Sequence, residues 1–411
     1  MSIILDRSLA ADGKLKIEWA RATMPVLSQI EEEFKKTKPL AGLRMTISIH
    51  LEAKTAYLAH VLRSGGAQVA VTGCNPLSTQ DDVAASLAAD GFEVFGIRGA
   101  SMEEYKEHLK AALSHKPHII VDDGGDLVEL LHGECKDYAE NLIGGSEETT
   151  TGVMRLRQRA EKNELNFPMV AVNDANCKYL FDNRYGTGQS VFTALMQVTN
   201  RLVAGKTVVV AGYGWCGRGI AMRAAAMGAK VIVTEILPYR ALEAAMDGYS
   251  VMKMDDAAAL GDIFITATGC KDVIRREHLL KMKNEVLLAN AGHFDVEISK
   301  PDLDSISVKK YTRRDSIEGY ELPDGRILNL IAEGRLVNLA AGNGHPAEIM
   351  DMSFAVQALA ARYIAENRNN LTAGVHNVPS ALDEYVAVLK LSAMGLGIDS
   401  LSDEQKKYLG Q

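Results

Sequence analysis

Residues 207–219 read TVVVAGYGWCGRG: an apolar run, then Gly212, Gly214 and Gly217 in the pattern G-x-G-x-x-G, with a helix-forming stretch at 220–227 directly behind. This order predicts a buried strand, a tight turn and a helix. Gly212 permits the turn, Gly214 lets the backbone approach a pyrophosphate, and Gly217 allows the helix to pack closely on the strand. The helix N-terminus would offer free N–H groups and a positive dipole end to phosphates. The next apolar run, KVIVTE, ends in Glu235. A carboxylate there accepts both ribose hydroxyls and repels a 2′-phosphate, which favours NAD over NADP. Arg240 lies near enough in sequence to qualify that preference, although a plain helix position also accounts for it. A glycine turn without any ligand is the structural alternative for the whole stretch.

Working outward, short β-rich runs alternate with helical ones, the signature of parallel sheets covered by helices. The strand candidates are 46–51, 68–72, 93–97, 118–122 and 169–172, then 207–211, 230–235, 262–266 and 286–290. Runs such as HIIVD and MVAV suit strands buried on both faces. Helices are expected at 53–63, 81–89 and 102–113. Beyond Pro301, 305–314 and 319–331 read as an antiparallel addition with a hairpin turn at Pro323-Asp324-Gly325. Residues 350–366 read as a long amphipathic helix. Ser402 followed by Gln405 predicts a capping box opening a last short helix.

The fold class is therefore α/β, with two doubly wound parallel-sheet domains. Glycine-containing segments at 183–188 and 341–346 read as chain crossings. They divide the chain into a substrate-binding domain (1–183), an inserted Rossmann NAD-binding domain (184–345) and a C-terminal segment (346–411) that returns to the first domain and contributes to oligomer contacts.

Composition bounds the function. The 411 residues are 47% hydrophobic and 24% charged, with a net charge of −8. That balance argues against a nucleic-acid or anionic-membrane surface. The largest basic cluster, Lys309-Lys310 with Arg313-Arg314, reads as one solvated strand end. No apolar run suits a signal peptide or a bilayer span, so a cytoplasmic location is expected. The five cysteines lack C-x-x-C spacing, which predicts free thiols and no metal site. His115 and His118 in HKPH read as a loop-to-strand junction.

Polar residues cluster where the predicted strands end: His50 with Glu52, Asp122-Asp123-Gly124-Gly125-Asp126, Glu147-Glu148 with Thr149, Thr150 and Thr151, and Asn173-Asp174 with Lys178 and Asp182. Each has a bland account. A strand-end histidine is commonly structural, the aspartates could form a turn, the threonines could cap a helix, and Lys178 with Asp182 could be a surface i,i+4 pair.

Together the motifs resemble one family. HLEAKTAYL, CNPLSTQDDVAA, VDDGGDLVELLHGE, GGSEETTTGV, VNDANCKYLFDN, AGYGWCGRG, ANAGHFDVEI, AEGRLVNLAAGNGHP and DEQKKYLG resemble S-adenosylhomocysteine hydrolase, in order and across essentially the whole chain. SEETTTG, GHFD and LVNL carry the most specificity. The resemblance implies that a tightly bound NAD oxidises the 3′-hydroxyl of a nucleoside thioether. The resulting ketone acidifies the C4′ proton, the thiolate leaves, water adds, and the hydride returns. It implies that Lys178 and Asp182 act at the 3′-hydroxyl, Lys178 as a base whose pKa must be lowered by desolvation or a cationic neighbour. Asp123 and His50 would serve C4′ and C5′, in an order left open, with Asn183 and His293 lining the cleft. Glu148 would bind the ribose hydroxyls, Thr149 would also bind substrate, and His345 would sit at the hinge and substrate gate. Thr149, Thr150, Thr151, Asn183, Thr268 and Asn338 would join Gly212, Gly214, Gly217 and Glu235 at the cofactor. A homotetramer is implied as well.

Three departures stand out. Many relatives carry H-M-T-V-E-T, whose glutamate accepts from the adenine amino group; here Lys54 takes that position. Lysine has only donors. It could donate to the 6-oxo group of hypoxanthine, making S-inosylhomocysteine a candidate substrate, or Glu52 could take over adenine recognition. Second, the chain ends at Tyr408-Leu409-Gly410-Gln411, short of a tail that completes a neighbour's NAD site in many relatives, which predicts looser cofactor retention or a different subunit contact. Third, Trp215 and Cys216 fill variable fingerprint positions and read as tolerated. An ordinary NAD-dependent dehydrogenase is the competing class, but it leaves SEETTTG and NDANCKYLFDN unexplained.

Overall fold

The computed structural model describes residues 2–410; Met1 and Gln411, the outermost residues of the two terminal readings above, lie outside them. Two sheets organise the chain. The first has seven strands, all parallel: β1 (Arg44–Ser48), β2 (Gln68–Thr72), β3 (Glu93–Phe95), β4 (Ile119–Asp122), β5 (Gly144–Glu147), β6 (Pro168–Ala171) and, from far along the chain, β15 (Gly374–Asn377), in the order β15-β6-β5-β4-β1-β2-β3. The second has eight: β7 (Thr207–Ala211), β8 (Lys230–Thr234), β9 (Ser250–Val251), β10 (Ile263–Thr266), β11 (Val286–Asn290), β12 (Lys309–Arg314), β13 (Ile317–Glu321) and β14 (Ile327–Ile331), in the order β12-β13-β14-β11-β10-β7-β8-β9. Among the described residues only β12-β13-β14 run antiparallel.

In each sheet the chain starts near the middle, builds outward, then returns to the other side of its first strand. The reversals fall between β1 and β4 and between β7 and β10. Diverging loops leave a crevice at such a point, outside the carboxyl ends of the strands, where ligands bind in open α/β sheets.

The predicted antiparallel addition is present. Its turn closes with Gly325 N donating to Leu322 O, and its outer strand, Lys309–Arg314, is mostly exposed, as the basic cluster suggested. The Ser402 capping box is also formed. Sequence reading missed β5, because GGSE has no apolar pattern, and β15, whose HN end reads as loop. Residues 305–306 belong to a helix, Lys300–Ile306, not to the strand expected there.

One expectation needs correcting. The helix Ala347–Glu366 is not amphipathic with a wet face: residues 350–361 are buried throughout. It packs on the helix Pro25–Thr37 and beside β4 and β5. A helix enclosed on all sides can carry polar residues only where each finds a partner. Asp351, Ser353 and Gln357 all do. Asp351 accepts from Val26 N and Leu27 N, first-turn donors of Pro25–Thr37 that lack partners within their own helix, and pairs with Lys390 at 2.9 Å.

Candidate active site

The two chain reversals face one cleft, and each strand end delivers one polar group. His50 follows β1 and Asp123 follows β4; His50 Nε2 lies 3.5 Å from Asp123 Oδ2. Ser78 Oγ donates to Asn75 O at 2.9 Å and lies 2.7 Å from His50 Nδ1. With the hydroxyl proton directed to the carbonyl, the ring must donate from Nδ1, which leaves the Nε2 lone pair facing Asp123. Burial, then the closeness of His293, His345 and Lys54, beside which a further positive charge is unfavourable, holds His50 well below the usual histidine pKa. Burial and nearby Glu148 push Asp123 up to about 8. At neutral pH the aspartic acid thus carries the proton and the imidazole is free to accept one. Cys74 Sγ donates to Asp123 Oδ2 at 3.2 Å, while Asp123 Oδ1 is buried without a hydrogen-bond partner.

A second cluster lies where the chain leaves the first sheet. Residues Tyr179–Gly186 form a π-helical turn, a wide geometry that recurs at functional sites. Lys178 precedes it, and Asp182 and Asn183 lie within it. Lys178 Nζ donates to Asn183 Oδ1 at 2.8 Å and sits 3.4 Å from Asp182 and 3.5 Å from Glu148. The pair expected as a possible surface ion pair is buried. Ser353 donates to Asp182, and Gln357 donates to Glu148 at 2.6 Å while accepting from Ser146. Glu148 Oε1 remains without a hydrogen-bond partner.

The charge state of Lys178 differs from expectation. Burial alone would lower its pKa, but Asp182 and Glu148 outweigh burial and raise it above the ordinary lysine value. Lys178 is an ammonium here. Asp182 is conversely held below the usual carboxylate range: burial raises it, but Lys178 and His345 prevail. Burial pushes Glu148 up to about 7, against the pull of Lys178, so it can take a proton near neutrality.

From the other crossing, His345 Nδ1 pairs with Asp182 Oδ1 at 2.8 Å, and its Nε2 faces Thr187 Oγ1. His293, from the loop after β11, reaches across the cleft. Gly124 has φ +101, and a Cβ there would fall 2.3 Å from His293 Nε2, so only glycine lets this imidazole close on the aspartate turn. His293 Nδ1 lies 3.6 Å from Asp123 Oδ1, and burial lowers its pKa to about 4. On the rim, Lys54 Nζ pairs with Glu52 at 2.7 Å and donates to Asn343 O at 2.9 Å. Glu52 also caps the helix Ala53–Ser64, accepting from Lys54 N and Thr55 N.

The opposite wall fits a dinucleotide. Gly212 has φ +94, and a Cβ on Gly217 would meet Gly212 O at 1.9 Å, so the turn tolerates no side chain. Glu235 ends just past β8 and accepts from Tyr213 N, Ile236 N and Leu237 N, which fixes its carboxylate beside that turn. Asn338 Nδ2 donates to Ser190 Oγ, while its Oδ1 is buried and unpartnered, an acceptor suited to a carboxamide N–H. Arg240 is on a helix, Pro238–Met246, with its guanidinium 3.5 Å from where a Cβ of Gly214 would lie.

Some predicted residues already serve the scaffold. Thr149 caps the helix Thr150–Glu161 through Gly152 N and donates to Glu147. Thr150 donates to Asn173 Oδ1, which Asn183 also uses. Thr151 is half-buried in the same first turn. Thr268 donates through N and Oγ1 to Glu297. Sequence reasoning missed Cys74, Ser78, Glu297, Ser353 and Gln357 as site residues, and named Glu147 only as part of a polar strand end. Glu297 stands inside the quoted GHFDVEI, and Cys74 and Ser78 inside CNPLSTQDDVAA, so a motif signal existed. For Ser353 and Gln357 only their i,i+4 spacing on an apolar helix could have marked them.

Two family models match the chain. The model for S-adenosyl-L-homocysteine hydrolase covers residues 2–141, and that for the NAD binding domain of S-adenosyl-L-homocysteine hydrolase covers 183–344. Among relatives, the S-inosyl-L-homocysteine hydrolase of Methanocaldococcus jannaschii is 56% identical over 406 residues, spanning 99% of this chain and 98% of that protein. The adenosylhomocysteinase of Pyrococcus abyssi is 56% identical over 406 residues, spanning 99% and 96%. That of Aquifex aeolicus is 54% identical over 408 residues, spanning 99% and 97%.

Proposed function

Because this chain belongs to the S-adenosyl-L-homocysteine hydrolase family and carries its NAD-binding domain, we propose that it hydrolyses S-adenosyl-L-homocysteine reversibly to adenosine and L-homocysteine. The observation that carries the reading is the buried Lys178–Asp182–Glu148 cluster facing the His50–Asp123 pair across one cleft. When bound, NAD supplies a hydride acceptor that gives the hydride back within the same turnover. Gly212, Gly214, Gly217, Glu235, Thr268 and Asn338 would hold it, with the threonines at 149–151 and Asn183 on the side toward the substrate.

Lys178 acts at the 3′-hydroxyl once it has passed a proton to Glu148, whose unpartnered oxygen is 3.5 Å away. Asp182, fixed by Ser353 and His345, orients the lysine. His50 and Asp123 supply one free base and one held proton for the C4′ and C5′ steps. His293 and His345 close the cleft and exclude water from the oxidised sugar. A division into 1–183, 184–345 and 346–411, cytoplasmic residence and a homotetramer belong to the same reading. Among the described residues no helix is long and apolar enough to cross a membrane.

A specific observation favours a second substrate. The buried Lys54–Glu52 pair presents a donor beside an acceptor at the base-reading position. Hypoxanthine offers the matching acceptor and donor at O6 and N1–H, so S-inosyl-L-homocysteine fits the same pair. Thiol titration of released homocysteine from each nucleoside gives the two kcat/KM values. A clear adenosyl preference ends the inosyl reading. Accumulation of NADH in step with product, with no thiol released, overturns both in favour of a dehydrogenase.

A further inference from the structure

Three neighbouring strand ends converge on the His50–Asp123 pair and add to it a thiol, Cys74, to which the proposed hydrolytic chemistry gives no role. His50 follows β1, Cys74 follows β2 and Asp123 follows β4, and one ligand-type atom from each lies within 4.8 Å of the others. We propose that His50, Cys74 and Asp123 form an inhibitory site for a soft divalent cation, Zn2+ in the first instance. The donor set is a thiol, an imidazole and a carboxylate, the mixture that zinc takes at about 2.0–2.3 Å. Magnesium and calcium prefer oxygen alone.

Spacing supports the assignment. Cys74 Sγ to Asp123 Oδ2 is 3.2 Å and His50 Nε2 to Asp123 Oδ2 is 3.5 Å, while Sγ approaches the imidazole on its Nδ1 side at 3.4 Å. The two edges that meet at Asp123 Oδ2 are close to the spacing of about 3.3–3.7 Å between ligands of a tetrahedral ion at those bond lengths. Asp123 is 2% exposed; its Oδ2 faces Cys74 and His50, and its Oδ1, on the His293 side, is buried without a hydrogen-bond partner, so the carboxylate has acceptor capacity to spare. Ser78 fixes the ring by accepting from Nδ1, the outer hydrogen bond that metal-binding histidines commonly make, and so leaves the Nε2 lone pair for the ion. Three protein ligands leave a fourth position for water or a thiol.

Binding releases the Cys74 thiol proton and the Asp123 proton to solvent, with no change of oxidation state. It stops turnover because the two groups that exchange protons with substrate become ligands. No spacing rule applied to the sequence reveals the site, since its members are brought together only by strand order. The inference stands whichever base the enzyme accepts.

The test titrates Co2+ into the NAD-loaded protein and reads the thiolate-to-cobalt absorption in the near ultraviolet. One equivalent per chain, displaced by Zn2+, is expected. The band is expected to vanish in Cys74→Ser and to persist in Cys216→Ser and Cys270→Ser. The Zn2+ concentration that halves activity should rise by about tenfold or more in Cys74→Ser. In the unsubstituted protein, Zn2+ but not Mg2+ should slow alkylation of Cys74 relative to the exposed Cys270. Absence of the band at one equivalent, its survival in Cys74→Ser, its loss in Cys216→Ser or Cys270→Ser, or equal alkylation with and without Zn2+ overturns the proposal. None of these optical or alkylation outcomes depends on the substrate assignment.

Discussion

Asp123 keeps its proton because it is buried beside a second carboxylate, Glu148, and its pKa rises to about 8. The folded protein holds this proton more tightly than the unfolded chain. The group's contribution to stability is therefore full below about pH 4, falls as pH rises toward 8, and then levels off. Activity should follow the proton: kcat/KM is expected to fall above about pH 8, and Asp123→Asn should abolish that limb. A basic limb unchanged in the variant contradicts the assignment. At Lys178, replacement by Met should lower kcat about 10²–10⁴-fold while the protein still binds NAD, measured by single-turnover release of homocysteine. That His50, Asp123, Lys178 and Asp182 would be gathered at the cleft was legible in the sequence, because strand ends and family motifs both mark them. The protonation of Lys178 was not. It depends on two carboxylates, Asp182 nearby in sequence and Glu148 far from it, and on how completely the fold buries all three.

The helix Ala347–Glu366 shows what pattern reading loses at the scale of an element. Its polar residues suggested a solvated face, yet Ser353 and Gln357 point at Asp182 and Glu148. Amphipathicity is a statement about spacing, and spacing does not tell a wet face from a buried one lined with partners. Asp351 provides a test separate from catalysis, since it caps a neighbouring helix and pairs with Lys390 in the interior. Asp351→Ala should cost about 3–5 kcal/mol in denaturant unfolding, because it leaves a cation and two helix-end donors without their partner. A loss below about 1 kcal/mol contradicts that account. The β5 strand was missed for a related reason: GGSE has no side-chain alternation, and its place in the sheet is fixed by pairing with β4 and β6.

Across the whole molecule, one parallel sheet and one mainly parallel sheet present their chain reversals to a common cleft. That architecture was the most legible feature, because buried parallel strands write continuous apolar runs into the sequence. How the sheets meet was not legible. It turns on contacts such as His293 against Gly124 and His345 against Asp182. Gly124→Ala should hold the His293 loop away and lower kcat/KM about 100-fold with little change in NAD affinity, as read by steady-state kinetics beside cofactor titration. The central claim is that a resident dinucleotide oxidises the sugar so that sulfur can leave. It is tested most directly by stripping the protein of NAD, confirming that it stays folded, and measuring thiol release from S-adenosyl- and S-inosyl-L-homocysteine before and after NAD is restored. The account predicts no homocysteine from the stripped protein and full recovery on reloading, with no net NADH formed. Turnover by the stripped protein contradicts it.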